Sequence, residues 1–128
     1  MIELTDAPID ARSVYERISH EGAGSIVVHF GVVKPVAQGK RTRGIRFTPQ
    51  GDLKEEIRSI EVALREKWAP TDVLLIRRVG ELSIGDIILA AAVSSPDRES
   101  AFGACSESVE RFKKLKKVKK EELFDSVP

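Results

Sequence analysis

Apolar residues recur at two different periods along the chain, and the switches between them predict its elements. Residues 25–33, S-I-V-V-H-F-G-V-V, are rich in β-branched side chains and predict a strand buried on both faces. Lys34-Pro35 closes it, and Gln38-Gly39-Lys40 marks a turn. Alternation returns at residues 44–48, G-I-R-F-T, and is stopped by Pro49-Gln50-Gly51. Leu53, Ile57, Ile60 and Leu64 then repeat at helical spacing toward Trp68, with Asp52 and Glu55 giving the start a capping-box character. Upstream, Asp10 caps a short predicted helix in which Val14 and Ile18 share a face, ended by Gly22-Ala23-Gly24.

Residues 73–79 and 87–94 read as two further strands, and the short G-E-L-S-I-G-D between them suits an antiparallel hairpin. Ser95-Pro96 has the form of an N-cap followed by proline at the first helical position. The helix it opens carries Ala101, Phe102, Cys105, Val109 and Phe112 along one face. The predicted order is α-β-β-α-β-β-α followed by a basic tail. That order predicts an α+β domain with helices packed on a largely antiparallel sheet.

Composition narrows the function classes. A chain of 128 residues suits one domain, here taken as residues 1–128, and no internal repeat or low-complexity linker divides it. Lys plus Arg total 21 against 20 for Asp plus Glu, so any attraction for anions has to be local. The opening M-I-E-L-T-D-A-P is acidic and broken by Pro8, and no run of apolar residues is long enough to span a membrane; a soluble cytoplasmic protein is expected. With one cysteine, Cys105, and two histidines, His20 and His29, neither a disulfide framework nor a structural metal site is expected. His29 in an apolar strand and Cys105 on an apolar helix face read as packing residues. Nucleophile-elbow, glycine-rich phosphate-loop and zinc-protease signatures are absent.

One compositional anomaly remains, R-F-K-K-L-K-K-V-K-K at residues 111–120. On a continued helix Lys113, Lys116, Lys117 and Lys120 would repel one another on neighbouring turns, so part of the run is expected to be extended. It reads in three ways. A solvated tail is the default. A nucleic-acid patch is disfavoured, because Phe112 is the only aromatic among the cations and no recognised reading helix or RNP-like strand exists. In an active site, crowding and partial burial would lower a lysine pKa and make it reactive. Ser95-Pro96-Asp97-Arg98 is a second candidate, because a helix N-terminus and an arginine together suit a phosphate. An ordinary cap with a surface arginine is the commoner explanation of such a turn.

Four segments resemble the large, catalytic subunit of molybdopterin synthase. G-S-I-V-V-H-F-G-V-V-K at residues 24–34 is similar to that family's strand ending in F-x-G-x-V-R. R-R-V-G-E-L-S-I-G-D at residues 77–86 resembles its H-R-x-G-x-L-x-x-G-E, and D-R-E-S-A-F-G-A-C at residues 97–105 its H-R-x-x-A-F-x-A-C. V-E-R-F-K at residues 109–113 runs without a gap into K-V-K-K-E-E, where the family has I-D-x-L-K and then P-I-W-K-K-E. The likeness spans roughly residues 22–122. Asp97 stands where the family has histidine, Arg77-Arg78 replaces the first His-Arg pair, and Phe47-Thr48 stands for its Tyr-Glu.

This resemblance implies an α/β hammerhead fold and a sulfur transferase with no cofactor and no metal of its own. It implies a homodimer that binds a small ubiquitin-like sulfur carrier at each end, giving a heterotetramer. Sulfur would pass from the carrier's Gly-Gly thiocarboxylate tail to cyclic pyranopterin monophosphate. Lys113 and Lys120 fall on the family's catalytic lysines, and the basic segment 111–122 would contribute to the active site. Val32, Val33, Lys34, Asp97, Arg98, Glu121 and Glu122 would contact the substrate, with Val32 and Val33 offering backbone groups and Arg98 holding the phosphate from across the dimer interface. Two alternatives stay open: a non-catalytic member acting as an interaction module, and a basic nucleic-acid-binding protein.

Overall fold

The computed structural model describes residues 1–124. Among them are three helices and eight strands. The first sheet has the order β1 (Ile2–Thr5), β5 (Asp72–Arg78), β7 (Ile87–Ser95), β2 (Ser25–Val32). Only the β1–β5 pair is parallel; β7–β2 is antiparallel, and so is β5–β7, as the hairpin reading predicted. A second sheet is built on β4 (Lys40–Pro49), which pairs with β3 (Val36–Ala37), β6 (Gly80–Ser83) and β8 (Val118–Phe124).

Helix α2 (Leu53–Trp68) follows its sequence signals closely. The Asp52 carboxylate accepts from the Glu55 N–H at 3.0 Å, and Leu53, Ile57, Ile60 and Leu64 are all buried. Together with α3 (Arg98–Phe112) it covers one face of the first sheet, against Val73, Leu75, Ala91 and Val93. On the other face, Val14 of α1 (Ala11–Arg17) and Ile18, the residue after that helix, close over Leu74, Ile76, Ala90 and Ala92. A third cluster, Val33, Ile45, Phe47 and Leu82, joins the second sheet to the end of β2. Burying these side chains supplies most of the driving force, each worth roughly 1.5–3 kcal/mol.

Several expectations need correction. Strand β2 is half-buried along most of its length instead of covered on both faces, because it is the edge of its sheet. The cap of α3 is Asp97, whose carboxylate accepts from the Ser100 N–H at 2.8 Å, while Ser95 still belongs to β7 and Pro96 lies before the helix. A short acceptor carboxylate won over the serine–proline pattern because it sits where the chain leaves the extended conformation. Phe102 points outward and is 58% exposed, so the buried stripe of α3 runs through Ala101, Ala104, Cys105, Ser108 and Phe112. The hairpin segment between β5 and β7 contains β6, which leaves the first sheet to join the second.

Candidate active site

A cavity of about 490 Å³ opens where the end of β2, the β3–β4 hairpin and β8 meet. Ile45 and Ile88 lie at its apolar side, Val32, Val33 and Lys34 on one wall, and Lys120, Glu122 and Phe124 on the other. The hairpin holds its shape through Gln38 and Gly39, both at positive φ (54° and 73°), a turn conformation suited to the twist of paired strands.

Pairing with β4 decides which charges of the basic segment reach this space. In β8, Lys120 lies opposite Phe47 and Glu122 opposite Ile45, while Glu121 lies opposite Arg46. Cross-strand partners share a face, so Lys120 and Glu122 turn toward the cavity and Glu121 turns away. Glu121 accepts from Arg46 at 3.0 Å, in an outer ion-pair chain that continues from Arg46 to Glu81 at 3.1 Å and on to Arg43 at 3.2 Å. On the cavity side the Lys120 side chain is 62% exposed, and its ammonium is 3.5 Å from the largely buried Glu122 carboxylate. An anion entering the cavity would meet an ammonium held by a single carboxylate.

Val33 has both backbone groups committed: its N–H donates to the Asp86 carbonyl at 3.0 Å and its carbonyl accepts from Gly85 at 2.9 Å. Val32 continues the β2–β7 ladder opposite Ile87. Val33 therefore presents its side chain, and Lys34 alone on this wall presents a charge.

Lys113, Asp97 and Arg98 stand elsewhere. Lys113 is the C-cap of α3, its ammonium exposed and 3.3 Å from Glu110. Asp97 and Arg98 are at the opposite end of the same helix, roughly 22 Å away at 1.5 Å per residue. The Ser100 backbone N–H holds the Asp97 carboxyl below the usual carboxylate range. Between the two ends, Val27, His29, Phe102, Cys105 and Glu110 line a second, open groove of about 310 Å³ along α3 and the β2 edge. The Cys105 thiol there is pushed up to about 11 by burial and points toward the Ala91 carbonyl at 3.5 Å, which makes it a poor nucleophile.

Sequence reasoning missed Ile45, Ile88 and Phe124 as cavity residues. Alternation in G-I-R-F-T was the available signal for Ile45; none marked Phe124, because β8 was read only as an extended basic segment.

The MoaE protein family matches residues 4–115 of this chain. The chain belongs to the MoaE family. Among curated relatives, the molybdopterin synthase catalytic subunit of Bacillus subtilis (strain 168) is 28% identical over 124 residues, covering 96% of this chain and 79% of its own length. That of Staphylococcus epidermidis (strain ATCC 12228 / FDA PCI 1200) is 30% identical over 124 residues, covering 96% and 83%. The X-ray crystal structure of molybdopterin synthase from Staphylococcus aureus superposes with a TM-score of 0.89 at 28% identity, over 98% of this chain and 92% of that one. The complex of subunits 1 and 2 of molybdopterin-converting factor from Helicobacter pylori 26695 shares the fold, with a TM-score of 0.76 at 15% identity over 98% and 90%. The MoaE match ends before β8, so Lys120 and Glu122 lie past it, within the stretch that the longer alignments cover. No described helix is long and apolar enough to cross a membrane, and no described group of His, Cys, Asp and Glu could hold a metal ion.

Proposed function

We propose that this MoaE chain is the catalytic subunit of a cytoplasmic molybdopterin synthase, a sulfurtransferase of molybdenum cofactor biosynthesis. It takes sulfur from the C-terminal thiocarboxylate of a small ubiquitin-like subunit and delivers it to cyclic pyranopterin monophosphate. In each transfer the thiocarboxylate sulfur bonds to a carbon of the pterin, water cleaves the carrier's acyl–sulfur bond, and the carrier leaves as a carboxylate; two transfers build the dithiolene. The observation that carries the reading is the cavity lined by Lys34, Lys120 and Glu122 together with the apolar Ile45 and Ile88. Both reactants are anionic, so their approach requires fixed cations. Lys120 offsets charge on the attacked carbonyl or moves a proton, with Glu122 keeping its ammonium oriented. Lys113 acts where the incoming tail ends, so the basic segment 111–122 contributes both catalytic lysines. Lys34 and Arg98 bind the phosphate, and Val32 shapes the pocket.

A homodimer would complete the site. Arg98 does not line the cavity and is a helix length from Lys113 in its own chain, which favours its supply by a second copy. Support comes from the exposed ring of Phe102, one turn after Arg98, beside the open edge strand β2. Packing that groove against a second copy would cover both and bring one subunit's Arg98 toward its partner's cavity.

Mixing the purified chain with a thiocarboxylated small subunit and cyclic pyranopterin monophosphate, and assaying the fluorescent oxidation product of molybdopterin, tests the reading. Product that disappears with Lys113→Ala and with Lys120→Ala is expected. A tight complex that makes no product would instead assign the chain to a non-catalytic, tail-binding role.

A further inference from the structure

Lys113 and Lys120 are joined by a short loop whose backbone donors are all accounted for. The N–H groups of Lys113, Lys114 and Leu115 donate to the carbonyls of Val109, Arg111 and Phe112 at 3.2, 3.1 and 3.3 Å, and so finish α3. Lys116 and Lys117 donate instead to the two oxygens of one side chain, Glu56, at 2.8 and 2.9 Å. Glu56 lies in the first turn of α2, about sixty residues away in sequence. The Lys117 carbonyl then accepts from Gln50 at 2.8 Å, and β8 begins with Val118 opposite Pro49.

The sequence that enters the strand, K-V-K-K-E-E, cannot choose its own register by charge. A slip of one residue turns every side chain to the other face. Lys119 and Glu121 would then face the cavity in place of Lys120 and Glu122, the same two residue types in the same order. Val118 and Leu123 give the strand apolar anchors. The paired N–H bonds to Glu56 add a directional one immediately before it, and bonds to a charged acceptor are about twice as strong as neutral ones.

We propose that Glu56 is a positioning residue for the transfer reaction: by clamping the amides of Lys116 and Lys117 it sets the register that presents Lys120, and not Lys119, to the cavity. The proposal rests on the reading of that cavity as the transfer site. An acidic residue in a helix's first turn also favours the helix dipole, and Glu55 shares that property without touching the loop.

Glu56→Ala and Glu56→Gln are therefore compared with Glu55→Ala in the full chain. Hydrogen exchange is expected to rise about tenfold or more at residues 116–117 and along β8 in Glu56→Ala, less in Glu56→Gln, and not in Glu55→Ala. With thiocarboxylated small subunit and cyclic pyranopterin monophosphate, kcat of Glu56→Ala should fall about tenfold or more while KM for the pterin stays within about twofold. Unchanged protection of β8 in Glu56→Ala, or full kcat despite lost protection, overturns the proposal. A wild-type chain that makes no product counts against the functional reading instead, and the exchange result then decides the clamp alone.

Discussion

The guanidinium carbon of Arg77 lies 4.1 Å from the centre of the Phe47 ring, so a buried cation of β5 is stacked on the residue that faces Lys120 across the second sheet. Arg77 is only 5% exposed, and no described carboxylate pairs with it; its one side-chain hydrogen bond goes to the Arg78 carbonyl. Burial lowers its pKa to about 10, which means that folding carries a desolvation cost for the charge. The folded value lies below the unfolded one, so this cost is present at neutral pH and is relieved only as pH rises through about 10.

Replacing that cation with an apolar side chain of similar length should therefore stabilise the fold. Arg77→Met is expected to raise the unfolding free energy by about 1–2 kcal/mol in urea titrations at neutral pH. Its thioether can keep a contact with the Phe47 ring. A clear loss of stability in Arg77→Met would show that stacking on Phe47 outweighs the desolvation of the charge.

A second prediction concerns the seam between the two long helices. A Cβ at Gly103 of α3 would lie 2.4 Å from the Trp68 ring of α2, and the indole has little room to yield because its Nε1 is tied to Glu107 at 3.4 Å. Gly103→Ala should cost about 1–3 kcal/mol despite alanine's better helix propensity. Thermal melts of Gly103→Ala, Trp68→Phe and the double variant check it: the double variant should recover part of the loss, and strictly additive effects would exclude the clash.

Legibility in the sequence followed the kind of signal each element carries. Helix α2 announces itself with a cap and a stripe of apolar residues, and both are used. Strand β8 could not be read as a strand from its pattern, because its two faces differ in the partners they meet and not in polarity: Lys120 and Glu122 face the cavity, Lys119 and Glu121 the opposite face. Phe102 sits at core spacing yet points outward, since helical periodicity cannot by itself tell which apolar side chains of a stripe become buried. Lys34 and Lys120 were found by resemblance alone; nothing in the charge pattern singled them out of the other lysines.

Acid should weaken the tie between the N-terminus, α2 and β5. Burial alone would raise the pKa values of Glu61 and Asp72. The N-terminal ammonium and Arg65 on Glu61, and the Ser19 N–H and Arg65 on Asp72, outweigh it and hold both carboxyls below their usual range. Groups with depressed values stabilise the fold above the unfolded pKa, near 4, and lose that contribution as pH falls through the folded value. Asp72→Asn is therefore expected to cost about 1–2 kcal/mol at pH ~7, with the gap from wild type closing toward pH ~2. Urea midpoints across that range check the trend, and a gap that stays constant with pH would remove Asp72 ionisation from the account.

The proposed sharing of Arg98 between subunits makes a prediction that no single-chain site can match. Arg98→Ala and Lys120→Ala should each abolish sulfur transfer on their own, because every cavity in either homodimer lacks one cation. When the two variants are unfolded together, refolded and allowed to reassort at random, half of the dimers are mixed. In a mixed dimer one cavity has lost both its own Lys120 and its neighbour's Arg98, whereas the other combines the intact Lys120 of one chain with the intact Arg98 of its partner. One good site in half of the dimers gives about a quarter of wild-type activity. Recovery to that level would require Arg98 to act across the interface. Absence of any recovery, with mixed dimers confirmed by mass spectrometry, would return Arg98 to its own chain and leave Lys34 as the phosphate-binding cation of the cavity.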